Sequence, residues 1–305
     1  MKLLDQMRLQ PDAPILVVTG PDGLLAGLEP ELVRRVPQVD VRATSEGVGI
    51  LSRYRVICVD VDGLTQPELA RVMRLSGLEI QTAVLTVSGA AADTLRERFG
   101  SWVPQNFVAK IRGELDAADL LTTFDKMRGI SELPTSAYFL PLCTTRTLTL
   151  RAWADKPALL TELHHLAVQL SGRDRAAQRV VNAADEILVL ARGTPEANER
   201  SGGGELSLDL CFDGRRFGLR MVEPARGRTR AQMEGALTAC WATGAPRAAQ
   251  APDFCALFQV VSHLAVTLNS ARGWVETVAL INAVRPLEPA TQPKSLNVFH
   301  ISEKS

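Results

Sequence analysis

The sequence predicts an α/β domain followed by an α+β domain. The chain has 305 residues, which suits two domains of ordinary size. Over residues 13–129, strands that are apolar throughout alternate with helices, a pattern typical of a parallel sheet covered on both faces. Beyond residue 138, long helices are mixed with strands of alternating polarity, which predicts helices on one face of a mixed sheet.

Five βα units make up the first predicted domain. Its strands are predicted at 14–19, 39–42, 55–60, 82–87 and 106–110. Its helices are predicted at 24–36, 44–52, 66–76, 90–99 and 115–127. Five consecutive units predict a flavodoxin-like doubly wound (βα)5 domain, whose site lies at the carboxyl ends of the strands. Asp60, Thr86 and Lys110 all fall at those ends.

The second predicted domain combines hairpins with long helices. Asp213-Gly214 lies between two alternating runs, which is typical of a β-hairpin. The strands are predicted at 146–152, 206–212, 216–222, 264–269 and 274–281. The helices are predicted at 156–171, 173–192, 230–241 and 253–262.

The chain divides into an N-terminal extension, two domains and a linker. Helix-breaking residues around Pro134 mark the boundary between the domains. The Gly/Ser-rich stretch at 196–205 lacks the Lys-Ser/Thr pair of a phosphate-binding P-loop, so we expect a flexible connection there. The predicted divisions are 1–12, 13–129, 130–137 and 138–305.

Composition argues against several functional classes. Lys+Arg and Asp+Glu are 34 each, so a nucleic-acid binder driven by bulk charge is not expected. The sequence shows no signal peptide and no apolar run near the ~20 residues of a membrane span, so we expect a cytoplasmic protein without membrane insertion. The five cysteines are scattered and form no CxxC pair, which predicts reduced thiols, no metal site and no cofactor.

Residues 13–128 resemble the receiver domain of two-component response regulators. The motif VICVDV resembles the third strand of that family, with Asp60 at the phosphoacceptor position. VLT resembles the fourth strand, with Thr86 at the phosphate-sensing hydroxyl. FVAK resembles the fifth strand, with Phe107 at the aromatic switch position and Lys110 at the phosphate-pairing lysine.

The first strand departs from the receiver pattern. The family ends that strand with two acidic residues that hold Mg²⁺, and this chain has Thr19 and Gly20 there. Phosphoryl transfer depends on positioning and on charge neutralisation by the metal, which prefers carboxylate oxygens. Asp60 with Asp62 is a poor replacement for that pair, and Asp22 would reach the site only if the turn at 21–23 rearranged. We predict a pseudo-receiver, in which Asp60 pairs with the lysine and accepts no phosphoryl group.

Residues 138–300 resemble the GHKL ATPase fold of histidine kinases and anti-sigma-factor kinases. Glu186 matches the glutamate of the family's nucleotide-binding helix, but Leu190 takes the place of its Mg²⁺-binding asparagine. Glu223 stands where an aspartate contacts adenine, one methylene longer. The segment 250–258 stands where the family has its glycine-rich lid, and it contains no glycine. The resemblance therefore implies a fold that has lost its nucleotide chemistry.

A mixed-charge surface is predicted on the first domain, on the face that receivers commonly use for partners. Basic residues beside acidic ones can form a self-complementary patch in a homodimer, although a solvated face of screened pairs has the same composition. The alternative contact is the arginine-rich segment 226–230. The predicted interface residues are Arg96, Arg98, Lys110, Arg112, Asp116 and Asp119.

These observations lead to three functional hypotheses. The first is a non-enzymatic signalling adaptor that binds other signalling proteins in a two-component-like or partner-switching pathway. The second is an active response regulator that is phosphorylated on Asp60 and carries an ATP-binding GHKL output domain of the anti-sigma kinase type. The third is a structural scaffold within a larger assembly.

Overall fold

The computed structural model has a mixed α/β fold, as the sequence predicts. The chain forms two compact units. The first takes its described residues from Met1–Glu132 and Glu288–Asn297, and the second from Leu133–Leu287 and Val298–Glu303. The structure describes residues 15–19, 39–43, 54, 56–77, 83–100, 104–110, 116–127, 133, 135–139, 143–192, 205–226, 228–229, 231–233, 235–236, 254–284 and 294–301.

A parallel sheet forms the body of the first unit. Its strands are β1 (Ile15–Thr19), β2 (Val39–Ala43), β3 (Val56–Asp60), β4 (Ala83–Ser88) and β5 (Asn106–Ala109). They lie in the order β2-β1-β3-β4-β5, and every neighbouring pair is parallel. This strand order is the flavodoxin-type order, in which the direction of winding across the sheet reverses between β1 and β3.

The first unit has three described helices, and side chains cap the first and the third of them. They are α1 (Gln66–Gly77), α2 (Ala92–Phe99) and α3 (Ala117–Met127). Before α1, the backbone N–H and hydroxyl of Thr65 both donate to Glu68 Oε2, at 2.8 and 2.7 Å, which gives the reciprocal bond of a capping box. Asp116 Oδ1 caps α3 by accepting from the N–H groups of Ala118 and Asp119. The predicted helices at 24–36 and 44–52 lie outside the described residues.

Apolar residues of the strands and of α3 form the core of the first unit. Alternate residues of β1, β3, β4 and β5 point toward the same face, so their side chains meet in one layer. The apolar face of α3 packs against that layer. The buried residues are Ile15, Val17, Val56, Cys58, Leu85, Val87, Val108, Leu120, Leu121 and Phe124.

The sheet of the first unit also contains an antiparallel strand that the sequence interpretation did not predict. This strand is β11 (Ser295–Ile301), of which residues 295–297 belong to the first unit. Its residues Leu296 and Asn297 pair with Phe107 and Asn106 of β5. The hydroxyl of Ser295 accepts a hydrogen bond from the Ala109 N–H at 2.9 Å. The expected wholly parallel sheet is therefore corrected, because β5 also pairs with a strand 186 residues further along the chain.

An antiparallel sheet with packed helices forms the second unit. Its strands are β6 (Thr144–Leu150), β7 (Leu206–Phe212), β8 (Arg216–Pro224), β9 (His263–Asn269) and β10 (Trp274–Asn282), in the order β9-β10-β8-β7-β6. Its helices are α4 (Lys156–Ser171), α5 (Asp174–Arg192) and α6 (Phe254–Val260). Helix α5 packs on β8, β10 and both other helices. Its buried face repeats small and branched apolar residues at helical spacing, from Ala176 to Ala191.

The predicted hairpin at Asp213-Gly214 is confirmed. Asp213 Oδ1 accepts from the N–H groups of Arg215 and Arg216, at 2.9 and 2.8 Å. Gly214 has φ of 84°, a left-handed conformation that glycine adopts without steric cost. Among the described helices, none combines the length and the apolar character needed to cross a membrane.

Candidate functional site

The carboxyl ends of three parallel strands bring polar residues together in the first unit. Strand β3 ends at Asp60, which is in register with Val87 of β4. Strand β4 ends at Ser88, which is in register with Ala109 of β5, and Lys110 follows directly. Neighbouring parallel strands therefore place Asp60, Ser88 and Lys110 at one edge. We call Asp60, Asp62, Ser88, Gly89 and Lys110 the Asp–Lys cluster.

Lys110 binds two carboxylates in this cluster. Its Nζ donates to both oxygens of Asp60 at 2.8 Å, and it lies 2.9 Å from Asp62 Oδ2. The side chains of Lys110 and Asp60 are 13% and 7% exposed, so this pair is largely removed from solvent. A buried charge is tolerated only when it is paired and hydrogen-bonded, and each of the two charges satisfies the other here.

Asp62 accepts hydrogen bonds from three different kinds of donor. The Ser88 hydroxyl donates to Oδ1, the Gly89 N–H donates to Oδ2 at 2.8 Å, and Lys110 Nζ contacts the same Oδ2. The Asp62 N–H donates in turn to Asp60 Oδ1 at 3.2 Å. The turn after β3 therefore links Asp60 and Asp62 through the backbone N–H of Asp62.

These contacts shift the pKa values of the cluster. Burial alone would raise the pKa of Asp62, but the bonds from Ser88 and Gly89 and the Lys110 charge outweigh it and lower that pKa. Burial alone would lower the pKa of Lys110, but its bonds to Asp60 and Asp62 outweigh it and raise that pKa. Burial, reinforced by the Asp60 charge, strongly raises the pKa of Cys58, which keeps this thiol protonated and unreactive.

Thr86 and Phe107 lie within β4 and β5, before the strand ends that carry the cluster. Thr86 is fully buried, and its hydroxyl donates to the backbone carbonyl of Asn106 at 3.1 Å. The hydroxyl in the Asp–Lys cluster belongs to Ser88, whereas the sequence interpretation names Thr86 for this role. Thr86 and Ser88 are two residues apart and lie on the same face of β4, because side chains alternate between the two faces of a strand. The predicted hydroxyl is therefore on the correct face but one side-chain repeat too early in the strand. Phe107 is fully buried within β5.

Several predicted interface residues have local structural roles. Arg96 pairs with Asp93 within α2, and Arg98 Nη2 donates to the Leu64 carbonyl at 2.6 Å. Asp116 caps α3, and Asp119 is only 8% exposed, so Asp119 does not belong to an exposed patch. Arg112 lies outside the described residues.

In the second unit, Arg228 connects the residues that the resemblance assigns to a nucleotide site. Its Nη1 donates to Glu223 Oε1 and its Nη2 donates to the Leu190 carbonyl, both at 2.6 Å. Leu190 and Glu223 are 5% and 4% exposed. Glu186 is half-buried on the same helix, α5. The guanidinium therefore lies between the end of α5 and the end of β8.

Glu223 carries an unusual carboxylate. Burial raises its pKa, and the charges of Arg228 and Arg226 oppose that effect only in part. Its Oε2 is buried and has no hydrogen-bond partner among the residues that the structure describes. Arg226 has φ of 47° and donates to the Arg192 carbonyl at 3.0 Å, so two arginines bind carbonyl groups near the C-terminus of α5.

The segment in place of a glycine-rich lid contributes to the core. Phe254 and Leu257, both on α6, are 1% and 0% exposed. Helix α6 packs on α5. Residues 250–253 lie outside the described part of the chain. The described half of this segment is therefore a packed helix and not a phosphate-binding loop.

Comparison with models of known protein families gives no match, and comparison with curated proteins gives none either. Within the described ranges, no group of three or more His, Cys, Asp or Glu side chains is arranged to hold a metal ion. Function therefore has to be argued from the geometry of the two sites.

Proposed function

We propose that this protein is a non-enzymatic signalling adaptor that acts through protein–protein contacts in a two-component-like or partner-switching pathway. The observation that carries the proposal is the double contact of Lys110 with Asp60. An acyl phosphate forms only when a carboxylate oxygen is free to attack in line with the leaving group. The charge of the transferred phosphoryl group must also be neutralised. Here both oxygens of Asp60 are engaged by one ammonium.

The second unit supports the same proposal. Arg228 fills the place between Leu190 and Glu223, where the resemblance expects magnesium and adenine contacts. The leucine side chain offers no oxygen to a metal, and the guanidinium already uses the carbonyl of that residue. Within each unit, the polar groups of the site bind one another. We therefore infer that the protein acts on its partners through the outer surfaces of the two units.

The adaptor proposal is tested by capture of partners with the full chain as bait, followed by mass spectrometry. Asp60→Asn preserves the size of the side chain and abolishes any acyl phosphate. The same partners in the same amounts are expected with the wild-type and Asp60→Asn baits. A partner that is captured only by the wild-type bait in the presence of acetyl phosphate would contradict the proposal.

One observation favours the alternative, an active regulator with an ATP-binding second unit. The buried Glu223 Oε2 without a partner among the described residues is a suitable acceptor for an N–H donor such as a purine amino group. Calorimetry with Mg-ATP separates the two proposals. The adaptor proposal expects no heat up to about 1 mM, so that binding is weaker than roughly −4 kcal/mol. Micromolar binding that is lost in Glu223→Ala supports the alternative.

A further inference from the structure

One surface of the second unit combines an aromatic ring, two cations and an exposed apolar side chain. Trp153 is half-buried in the 3₁₀ turn Trp153–Asp155, which directly precedes α4. The Lys156 ammonium lies 4.8 Å from the centre of its ring, and the guanidinium carbon of Arg192 lies 4.6 Å from it. The start of α4 and the end of α5 therefore meet at one indole, through two cation–π contacts.

Helix α5 brings further side chains to this ring. Asp185, Val189 and Arg192 follow one another at intervals of four and three residues, so they share one face of the helix. Asp185 pairs with Lys156, which balances that ammonium. Val189 is 48% exposed, and it is one of three large apolar side chains that are exposed among the described residues. We call Trp153, Lys156, Asp185, Val189 and Arg192 the tryptophan patch.

Arg192 carries the charge of the patch that remains unbalanced. Its side chain is exposed, and no carboxylate pairs with it among the residues that the structure describes. The Arg226 guanidinium donates to the Arg192 carbonyl at 3.0 Å, so another cation already satisfies the negative end of α5. The Arg192 guanidinium is therefore not needed for that purpose. Its planar pair of N–H donors fits the two oxygens of a carboxylate.

The composition of the patch favours a protein partner over a nucleic acid. A surface that binds nucleic acid carries several unbalanced cations, because each contact to phosphate adds to the affinity. Here Asp185 balances one of the two cations, and the whole chain has 34 basic and 34 acidic residues. Tryptophan and arginine, by contrast, are the side chains that most often dominate the binding energy of protein–protein interfaces.

We propose that the tryptophan patch binds a partner protein through a carboxylate side chain that lies next to an apolar one. Arg192 binds the carboxylate, and the apolar side chain packs on Val189 and on the exposed part of Trp153. The cation–π contact holds the guanidinium in place before the partner arrives, which lowers the entropic cost of binding. The inference rests on the proposed function, because it assigns the surface through which the adaptor binds its partner.

The test uses the full chain and a synthetic probe, a capped peptide in which leucine lies between two glutamates. Capping removes the terminal charges, so the side-chain carboxylates are the only ones on the probe. The indole N–H resonance of Trp153, assigned with Trp153→Phe, should move saturably in a ¹⁵N spectrum, with a dissociation constant of about 1 mM. A peptide with glutamine in place of both glutamates should bind at least about tenfold more weakly, because the charge-assisted bond is lost.

Two substitutions on α5 provide a matched pair. Arg192→Gln should weaken binding of the glutamate peptide about tenfold. Arg175→Gln removes the same charge from an exposed position about 25 Å away along the helix, and it should change binding less than about twofold. Arg192→Gln and the glutamine peptide remove the same contact, so together they should cost no more than either does alone. This non-additivity distinguishes a direct contact from a change in overall charge.

The inference is wrong if the indole of Trp153 stays unmoved up to about 10 mM peptide, if the glutamine peptide binds equally well, or if Arg175→Gln weakens binding as much as Arg192→Gln does. The first two outcomes need no variant, so the test stands even if Arg192→Gln fails to fold. A thymidine oligonucleotide that moves this indole more than the peptide does would overturn the choice of a protein partner. In the capture experiment, an Arg192→Gln bait that retains every partner in full would overturn this surface and leave the adaptor proposal standing.

Discussion

At the scale of residues, one ammonium balances two carboxylates. Lys110 contacts both oxygens of Asp60 and one oxygen of Asp62, and it is mostly shielded from water. Breaking a buried pair by removing one partner costs far more than the pair contributes, because an uncompensated charge remains. Removal of either Lys110 or Asp60 alone is therefore expected to destabilise the first unit.

We expect Lys110→Ala to destabilise the first unit by about 2–4 kcal/mol, because Asp60 is left buried beside a second carboxylate. Urea unfolding monitored on the full chain gives the measurement. Arg96→Ala is the matched control, since its partner Asp93 has a side chain that is 71% exposed, and its cost should stay within about 1 kcal/mol. Equal losses in the two variants would show that the cluster contributes no more than a surface pair.

The lowered pKa of Asp62 predicts a dependence of stability on pH. The unfolded chain binds a proton to this residue at a higher pH than the folded chain does. The contribution of Asp62 is therefore complete above about pH 4, and it is lost as pH falls through the lower folded pKa. The unfolding free energies of wild type and Asp62→Asn should differ by a constant amount between about pH 5 and 8 and converge below pH 4. A difference that grows on acidification would contradict this assignment.

At the scale of elements, close backbone approach explains one glycine. Gly218 lies in β8, and a Cβ there would overlap the ring of Phe139 and lie 3.2 Å from Leu280 Cδ2. Phe139 is 5% exposed, so the ring packs against the strand. Arg216, two residues before Gly218 in β8, donates to the Tyr138 carbonyl, which holds this segment over the same strand.

We expect Gly218→Ala to lower the stability of the second unit by about 1–3 kcal/mol, because the extra methyl group overpacks a filled site. Gly235→Ala is the matched control: it has nothing within 4 Å of an added Cβ and lies in a helical segment. That change should leave stability unchanged or raise it by up to about 1 kcal/mol. Thermal unfolding of both variants checks the pair, and a neutral Gly218→Ala would rule out the tight contact with Phe139.

The antiparallel strand β11 gives the edge of β5 a partner. Ser295 accepts from the buried Ala109 N–H, so Ser295→Ala should leave this donor unsatisfied at a cost of about 1–3 kcal/mol. Hydrogen exchange of the Ala109 amide should accelerate. His300→Ala, on the exposed side of the same strand, should leave that exchange rate unchanged. Unaltered protection of Ala109 in Ser295→Ala would contradict the role of this hydroxyl.

At the scale of the whole molecule, local patterns predicted more than distant pairings did. The apolar strands and the Asp213-Gly214 hairpin follow from side-chain periodicity and turn chemistry, so the α/β class was predictable. The pairing of β11 with β5 joins segments 186 residues apart, and no local pattern reports such a pairing. Within the site, Asp60 and Lys110 were predictable from their strand ends. The choice of Ser88 over Thr86 required the hydrogen-bond partner of each hydroxyl, because both side chains lie on the same face of β4.

The central claim is that Asp60 accepts no phosphoryl group, and intact-mass analysis tests it most directly. The full chain is incubated with acetyl phosphate and Mg²⁺ beside Asp60→Asn. The account predicts that the two proteins behave identically, with no adduct of about 80 Da on either. A stoichiometric adduct on the wild type that is absent from Asp60→Asn would contradict the account.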